Sequence, residues 1–178
     1  MDETRFWEII DATVRTSEGD KNAQRDQLIA LLRQETDDDL RTWETIFYRF
    51  KGALYRRDIW DAAVYIYGGC SDDFFMDFRD YLISCGSTVY QAVLKHADNI
   101  YDYPSLLEYG EDYFGHCAAE AFKENGGVGR LVEMLGDAWP ELDDSQHIPR
   151  DRDHIATHYP KLYAYLEAND ELDDYFED

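Results

Sequence analysis

The densest group of residues able to bind a ligand surrounds a glycine turn between Gly68 and Arg79. The candidate binding residues are three carboxylates, one hydroxyl and one guanidinium: Asp61, Asp72, Asp73, Ser71 and Arg79. At a helix start, these acceptors and the single cation would form a polar pocket. We expect Arg79 to pair with a carboxylate, because bases are scarce in this region. The simpler interpretation is a structural helical hairpin, in which glycine ends one helix and Ser71 begins the next.

Cys70 directly precedes this helix start, a position that lowers the pKa of a thiol and favours the thiolate. A nucleophilic cysteine also needs a base, and the sequence does not select any of the five histidines for that role. The neighbouring acids would raise the thiol pKa again. We therefore assign no catalytic residue and expect Cys70 to be a small, half-buried side chain.

His154 and His158 are four residues apart, a spacing that places both imidazoles on one face of a helix, close to Asp151 and Asp153. Pro160 disfavours helical backbone at the residue before it, so the helix is expected to end at His158 or earlier. The pair lacks the glutamate of the zinc-binding HExxH motif, and surface histidines in an acidic loop are the favoured interpretation. The chain also lacks the glycine-rich nucleotide-binding motifs, so neither a metal nor another cofactor is predicted.

Helical periodicity dominates the elements that must position these residues, and no run of residues is typical of a strand. Apolar side chains recur at i, i+3, i+4 and i+7, most clearly from Leu40 to Leu54. The pattern predicts an all-α fold: a single compact multi-helix domain of about seven to nine helices over residues 1–168. The acidic tail 169–178 is expected to be a solvated end, with a docking arm as the alternative.

The predicted helices are distributed along most of the chain, with looser stretches at 98–110 and 139–160. Helices are expected around Phe6–Val14, Leu28–Leu32, Leu40–Leu54, Ile59–Tyr67, 71–85, 87–97, 111–124, 128–137 and Leu162–Leu166. Trp60, Tyr67, Phe74 and Phe78 are expected to form an aromatic cluster beneath the Gly68–Arg79 turn.

The charge is strongly acidic and unevenly distributed along the 178 residues. The net charge is −22, of which residues 1–60 contribute −3, from 13 acids and 10 bases. Residues 61–178 contribute −19, from 26 acids and 7 bases. A field of this sign repels phosphate and anionic membranes and attracts cations. We therefore predict a basic protein partner contacting the C-terminal part, with no direct nucleic-acid binding and no membrane association.

The cysteine pattern and the N-terminus point to a reducing compartment. Three cysteines without CxxC spacing do not suggest a disulfide framework. The acidic start, Met1-Asp2-Glu3, enters a helical pattern at once and does not resemble a signal peptide. No apolar run approaches the ~20 residues of a membrane span. The predicted location is cytoplasmic.

Two parts of the sequence resemble a known protein family: Phe6-Trp7 near the start, and the region around the turn. The longer run is Trp60…Gly68-Gly69-Cys70-Ser71-Asp72-Asp73-Phe74…Phe78-Arg79…Leu82-Ile83…Gly86. Over roughly residues 1–125 the chain resembles a bacterial helical family of unknown function, domain-of-unknown-function family 4240. One departure is Tyr81, where the family pattern has Trp. The resemblance implies one folded unit and directs attention to Ser71-Asp72-Asp73 and Arg79, without implying an activity.

Two classes of function remain. The favoured one is an interaction protein that binds a basic partner, as immunity proteins, antitoxins or nucleic-acid mimics do. The alternative is a small enzyme or ligand-binding protein with its site at the Gly68–Arg79 turn. Acids of residues 98–178 that gather on one face without a deep pocket would favour the first class. A cleft at the turn, lined by convergent polar groups, would favour the second.

Overall fold

Capping residues begin the first helices at the positions that the sequence marks. The computed structural model describes residues 1–107, 114–128, 131 and 141–176. Asp2 caps α1 by accepting a hydrogen bond from Arg5 N, and Asp20 caps α2 by accepting one from Ala23 N. Thr36 caps α3 and is followed by three aspartates, which lie at the positive end of the helix dipole.

Eleven α-helices and two 3₁₀ helices form the described part of the chain, which contains no strand. The α-helices are α1 (Glu3–Ser17), α2 (Lys21–Leu32), α3 (Asp37–Ala53), α4 (Arg57–Tyr67), α5 (Asp72–Ser84), α6 (Ser87–Lys95), α7 (Pro104–Leu107), α8 (Cys117–Glu124), α9 (Arg152–His158), α10 (Pro160–Ala168) and α11 (Leu172–Phe176). The 3₁₀ helices are Ala97–Asp102 and Phe114–His116. Nine of the α-helices have seven or more residues, and the predicted all-α fold is confirmed.

Three predicted elements differ from the structure. The helix expected over 111–124 begins at Cys117 after a 3₁₀ turn, and residues 111–113 lie outside the described part. The helix expected over 128–137 falls almost entirely outside it. The stretch 139–160 was expected to be loose, yet it contains α9, which is capped by Asp151 and ends at His158 as Pro160 predicted.

An aromatic core joins α1, α3 and α6. The Phe6 ring lies 4.3 Å from Trp43 and 5.3 Å from Phe50, and Trp7 lies 5.0 Å from Tyr90, centroid to centroid. Around this core, α1 packs on α2, and α2 packs on α8. These contacts bury the apolar stripes that the periodicity predicted.

Carboxylates connect helices that are distant in sequence. Asp98 is buried and accepts hydrogen bonds from Lys161 N (3.1 Å) and Leu162 N (2.8 Å), which holds the start of α10 against the 3₁₀ helix Ala97–Asp102. Asp11 accepts from Ser87 N (2.8 Å) and so caps α6 from α1. Such contacts satisfy the backbone N–H groups that every helix start leaves without an intrahelical partner.

The tail is partly packed rather than wholly solvated. Leu172 is buried, and Tyr175 donates a hydrogen bond to Tyr65 O (3.2 Å) while its ring lies 5.1 Å from the Tyr65 ring. The described part of the tail therefore docks on α4. The proposed division at residue 168 stays a prediction.

Candidate functional site

The turn between α4 and α5 is formed by a helix stop followed by a helix start. Gly68 ends α4 with φ +67°, a left-handed conformation that glycine adopts without strain. Ser71 then caps α5 by accepting a hydrogen bond from Phe74 N (3.2 Å). Asp72 and Asp73 are exposed in the first turn of α5. Each polar residue of the turn thus has a local structural role or faces solvent.

Aromatic rings support this turn from below. Tyr67 lies 5.0 Å from Phe74 and 5.8 Å from Phe78, centroid to centroid, as the sequence predicted. Trp60 instead stacks on Phe75 at 4.7 Å, and its indole Nε1 donates to Cys70 O (3.0 Å). Phe75 is therefore the α5 ring that contacts Trp60, and the apolar pattern of α5 did not single it out.

Cys70 has the properties of a structural thiol. It is half-buried, as expected, and burial, assisted by the Asp72 carboxylate, raises the pKa of its thiol to about 12. A thiol with this pKa is almost entirely protonated at neutral pH and is a poor nucleophile. The opposing effect of the helix start is too small to produce a thiolate here.

Arg79 lies in the core and does not face the turn. Its Nε donates to Phe75 O (3.3 Å), and its Nη1 donates to Lys51 O (3.2 Å) near the end of α3. The guanidinium lies 4.5 Å from the Tyr55 ring centroid and 5.1 Å from that of Phe75. No carboxylate within the described residues forms an ion pair with Arg79, so the expected pairing was wrong. Carbonyl dipoles and aromatic faces stabilise the cation instead, although burial lowers its pKa.

Asp61 occupies a different site on α4. Its Oδ1 accepts from Arg57 Nε (2.9 Å), one helical turn earlier. Its Oδ2 accepts from Ile148 N (2.9 Å) and lies 2.6 Å from His147 Nδ1. This nearly buried carboxylate therefore fastens the segment around residue 148 to α4. None of its contacts involves Ser71, Asp72, Asp73 or Arg79.

A small cleft of ≈ 130 Å³ opens beside Asp61. Its walls combine α4 with the segment before α9, and the lining residues are Arg57, Asp61, Val64, Tyr65, His147, Ile148 and Arg150. Among the five predicted binding residues, only Asp61 lines this cleft. The i, i+4 spacing of Arg57 and Asp61 was visible in the sequence. Nothing in the sequence indicated that His147 and Arg150, more than 80 residues away, would join them.

A second polar cluster is buried between α3 and α5. Lys51 Nζ lies 2.6 Å from Asp80 Oδ1, and both side chains are nearly buried. Burial, together with the nearby Asp80 carboxylate, raises the pKa of Glu44 to about 7. Glu44 Oε2 has no hydrogen-bond partner within the described residues. The chain passes close to this cluster at Gly115, where a Cβ would lie 2.4 Å from Asp80 Oδ2.

His154 and His158 both lie on α9, with their ring centroids 4.5 Å apart. No group of three or more histidine, cysteine or acidic side chains gathers in a metal-binding arrangement within the part of the chain that the structure describes. No helix in that part is long and apolar enough to cross a membrane.

The chain belongs to a family described as "Protein of unknown function (DUF4240)", whose sequence model matches residues 1–124. This confirms the resemblance noted for residues 1–125. The matched region ends with α8. The cleft beside Asp61 therefore combines α4 residues from the matched region with His147, Ile148 and Arg150, which follow it. No curated protein and no solved structure matches the chain.

Proposed function

We propose that this protein is an interaction module that binds a basic protein partner through carboxylates that follow residue 60. The observation that carries the proposal is a set of nine exposed acidic side chains without an ion-pair partner within the described residues. They are Asp72, Asp73, Asp77, Glu141, Asp144, Asp151, Asp153, Glu167 and Asp170. A cationic partner would neutralise them, and the complementary field would accelerate encounter.

Two of these groups repel each other within one helix. Asp73 and Asp77 are four residues apart on α5, which places them on the same exposed face. The helix dipole stabilises Asp73 in the first turn, but its effect falls off before Asp77. Like charges at this spacing destabilise a helix by about 0.2–0.5 kcal/mol. Binding of a cationic surface would remove that repulsion.

The geometry of the Gly68–Arg79 turn gives less support to an enzyme. Ser71 is occupied as a helix cap, Arg79 faces the core, and the Cys70 thiol is protonated at neutral pH. The ≈ 130 Å³ cleft beside Asp61 is smaller than the roughly 300–1,000 Å³ of typical small-molecule sites.

The three free cysteines suit a reducing compartment, and we extend the proposal to a cytoplasmic location.

Charge-neutralised variants in pull-down experiments test the proposal. The wild-type protein and three double variants are used as bait in native lysate at low and high salt. Asp72→Asn/Asp73→Asn removes charge from α5, and Asp144→Asn/Asp153→Asn removes it from the C-terminal part. Asp37→Asn/Asp38→Asn is the matched control, because it also removes two carboxylates from the first turn of a helix, in the nearly neutral part of the chain.

We expect one predominant basic protein that is retained at low salt and released at high salt. At least one of the two test variants should weaken its retention, while the control variant behaves like the wild type. The proposal fails if no basic protein is retained at low salt. It also fails if the control variant weakens retention as much as both test variants do.

A further inference from the structure

The cleft beside Asp61 contains cationic donors that no acceptor among the described residues uses. Arg150 lines the cleft and forms no hydrogen bond or ion pair within the described residues. In the part of the chain that the structure describes, Arg57 uses only its Nε, on Asp61, which leaves its Nη1 and Nη2 groups available. Only seven of the 118 residues from 61 to 178 are Lys or Arg, whereas 26 are acidic. An arginine without a carboxylate partner is therefore unexpected in this part of the chain.

Tyr65 lines the same cleft and carries a buried hydroxyl. The residue is 3% exposed, and its hydroxyl has no hydrogen-bond partner within the described residues. Burial raises the pKa of this phenol to about 12, so it stays protonated as a donor at neutral pH. A buried hydroxyl without a partner costs free energy, because it loses its hydrogen bonds to water. An acceptor bound in the cleft would recover that cost.

The carboxylate of Asp61 does not satisfy these donors. Its Oδ1 accepts from Arg57 Nε, and its Oδ2 accepts from Ile148 N and contacts His147 Nδ1. Both oxygens are therefore occupied by groups that form the walls. Asp61 therefore holds Arg57 and His147 in the cleft wall. It leaves the Arg150 guanidinium and the Tyr65 hydroxyl for another acceptor.

We propose that this cleft binds the oxyanion group of a small ligand, a carboxylate or a phosphate, through Arg57, Arg150 and the Tyr65 hydroxyl. Guanidinium groups suit both anions because their planar donors match pairs of oxygens. The volume of ≈ 130 Å³ admits a compact anionic group rather than a whole cofactor. The net charge of −22 opposes anion binding at long range, but salt screens charges beyond about 8–10 Å. Arg57, Arg150 and Tyr65 are not among the nine carboxylates proposed for a basic partner.

Titration with two simple anions at constant ionic strength tests the proposal. Inorganic phosphate and acetate are added separately to the full chain, and binding is followed by calorimetry and by ¹H–¹⁵N NMR of the arginine side chains. Tyr65→Phe removes only the hydroxyl, and Arg150→Gln removes one exposed cation. Lys123→Gln is the matched control, because it makes the same charge change at an exposed position on α8.

We expect saturable binding of at least one anion, with the tighter probe identifying the ligand as a phosphate or a carboxylate. Tyr65→Phe and Arg150→Gln should each raise the Kd about tenfold, whereas Lys123→Gln should change it less than about twofold. Thermal unfolding checks that both variants stay folded. The proposal is overturned if neither anion binds saturably, or if all three variants bind like the wild type. The anion titration does not involve a protein partner. Its failure would therefore not affect the proposed interaction function, which the pull-down experiment tests separately.

Discussion

Single carboxylates hold distant segments of this acidic chain together. Asp11, Asp61 and Asp98 accept hydrogen bonds from the backbone N–H groups of Ser87, Ile148 and Leu162, which are more than 60 residues away in each case. Folding removes water from these backbone N–H groups, and the carboxylates accept the hydrogen bonds that water would otherwise accept. Part of the acidity is therefore structural, and only the exposed remainder is available to a partner.

Removing the Asp61 carboxylate should destabilise the fold. We expect Asp61→Ala to lower the free energy of unfolding by about 3 kcal/mol, because it leaves Ile148 N and the Arg57 guanidinium without their acceptor. Chemical denaturation measures the change. Asp26→Ala is the control, because among the described residues this exposed carboxylate forms only a surface ion pair, with Arg25 at 3.4 Å. Its effect should stay below about 1 kcal/mol. Equal effects of the two variants would contradict a structural role for Asp61.

Glu44 should make stability depend on pH in the direction opposite to most carboxylates. Its pKa rises from the ordinary 4.5 to about 7 in the folded chain, so the folded state binds the proton more tightly. The stabilisation is fully present below about pH 4.5 and is lost as the pH rises through about 7. The shift corresponds to roughly 3 kcal/mol. Glu44→Gln should remove this dependence.

Denaturation at about pH 5 and about pH 8 measures the Glu44 effect. The wild type should lose more stability over this range than Glu44→Gln, because only the wild type buries a charge near Asp80 at the higher pH. Glu167→Gln, at an exposed position on α10, should keep the wild-type dependence. Identical pH profiles for the wild type and Glu44→Gln would show that Glu44 is not responsible.

At the scale of elements, the hairpin of α4 and α5 depends on backbone conformation more than on polar chemistry. Gly68 has φ +67°, and a Cβ there would meet no atom within 4 Å. Gly69 has the same open surroundings without a positive φ. A side chain would clash at neither position, so a comparison of the two glycines isolates the cost of a left-handed backbone.

We expect Gly68→Ala to lower the free energy of unfolding by about 1–2 kcal/mol, because a side chain is strained in the left-handed region. Gly69→Ala should change it by less than about 0.5 kcal/mol. Thermal or chemical unfolding of both variants measures the difference. If Gly69→Ala costs as much as Gly68→Ala, the turn is constrained by something other than the left-handed stop of α4.

The aromatic packing of α5 explains why its buried face was only partly predicted. A single stripe through Phe74, Phe78 and Leu82 was expected, but Phe75 is fully buried whereas Phe74 is half-buried. Helix α5 contacts α3, α6 and the 3₁₀ helix Phe114–His116, so it buries more than one face. Periodicity identifies one face of a surface helix, and it loses that power for a helix surrounded by others.

At the scale of the whole molecule, the net charge of −22 should itself limit stability. Like charges repel in the compact state, and salt weakens this repulsion. We therefore expect the thermal midpoint to rise by a few degrees between about 20 and about 200 mM NaCl. Differential scanning calorimetry measures the change. A midpoint that falls with salt would instead mean that ion pairs, such as Arg33–Glu124, outweigh the repulsion.

Local physical chemistry explains what the sequence determined by itself. Helix starts at Asp2, Thr36 and Ser71 and the stop at Gly68 are set by hydrogen bonds and torsion angles within a few residues. The all-α class follows from these signals and from the spacing of apolar side chains. The family resemblance likewise rests on short motifs within residues 1–124.

Only the tertiary structure decided which polar groups meet. The sequence places five candidate residues around the Gly68–Arg79 turn, but in the folded chain they lie in different places. Ser71, Asp72 and Asp73 form a helix start, Arg79 enters the core, and Asp61 joins His147 and Arg150 beside α4. The contact between Asp61 and His147, which are 86 residues apart, could not be predicted from the sequence. It depends on how the packed helices bring the later segment back against α4. The most chemically promising segment of the sequence thus became a structural turn, and the cleft with available donors formed elsewhere.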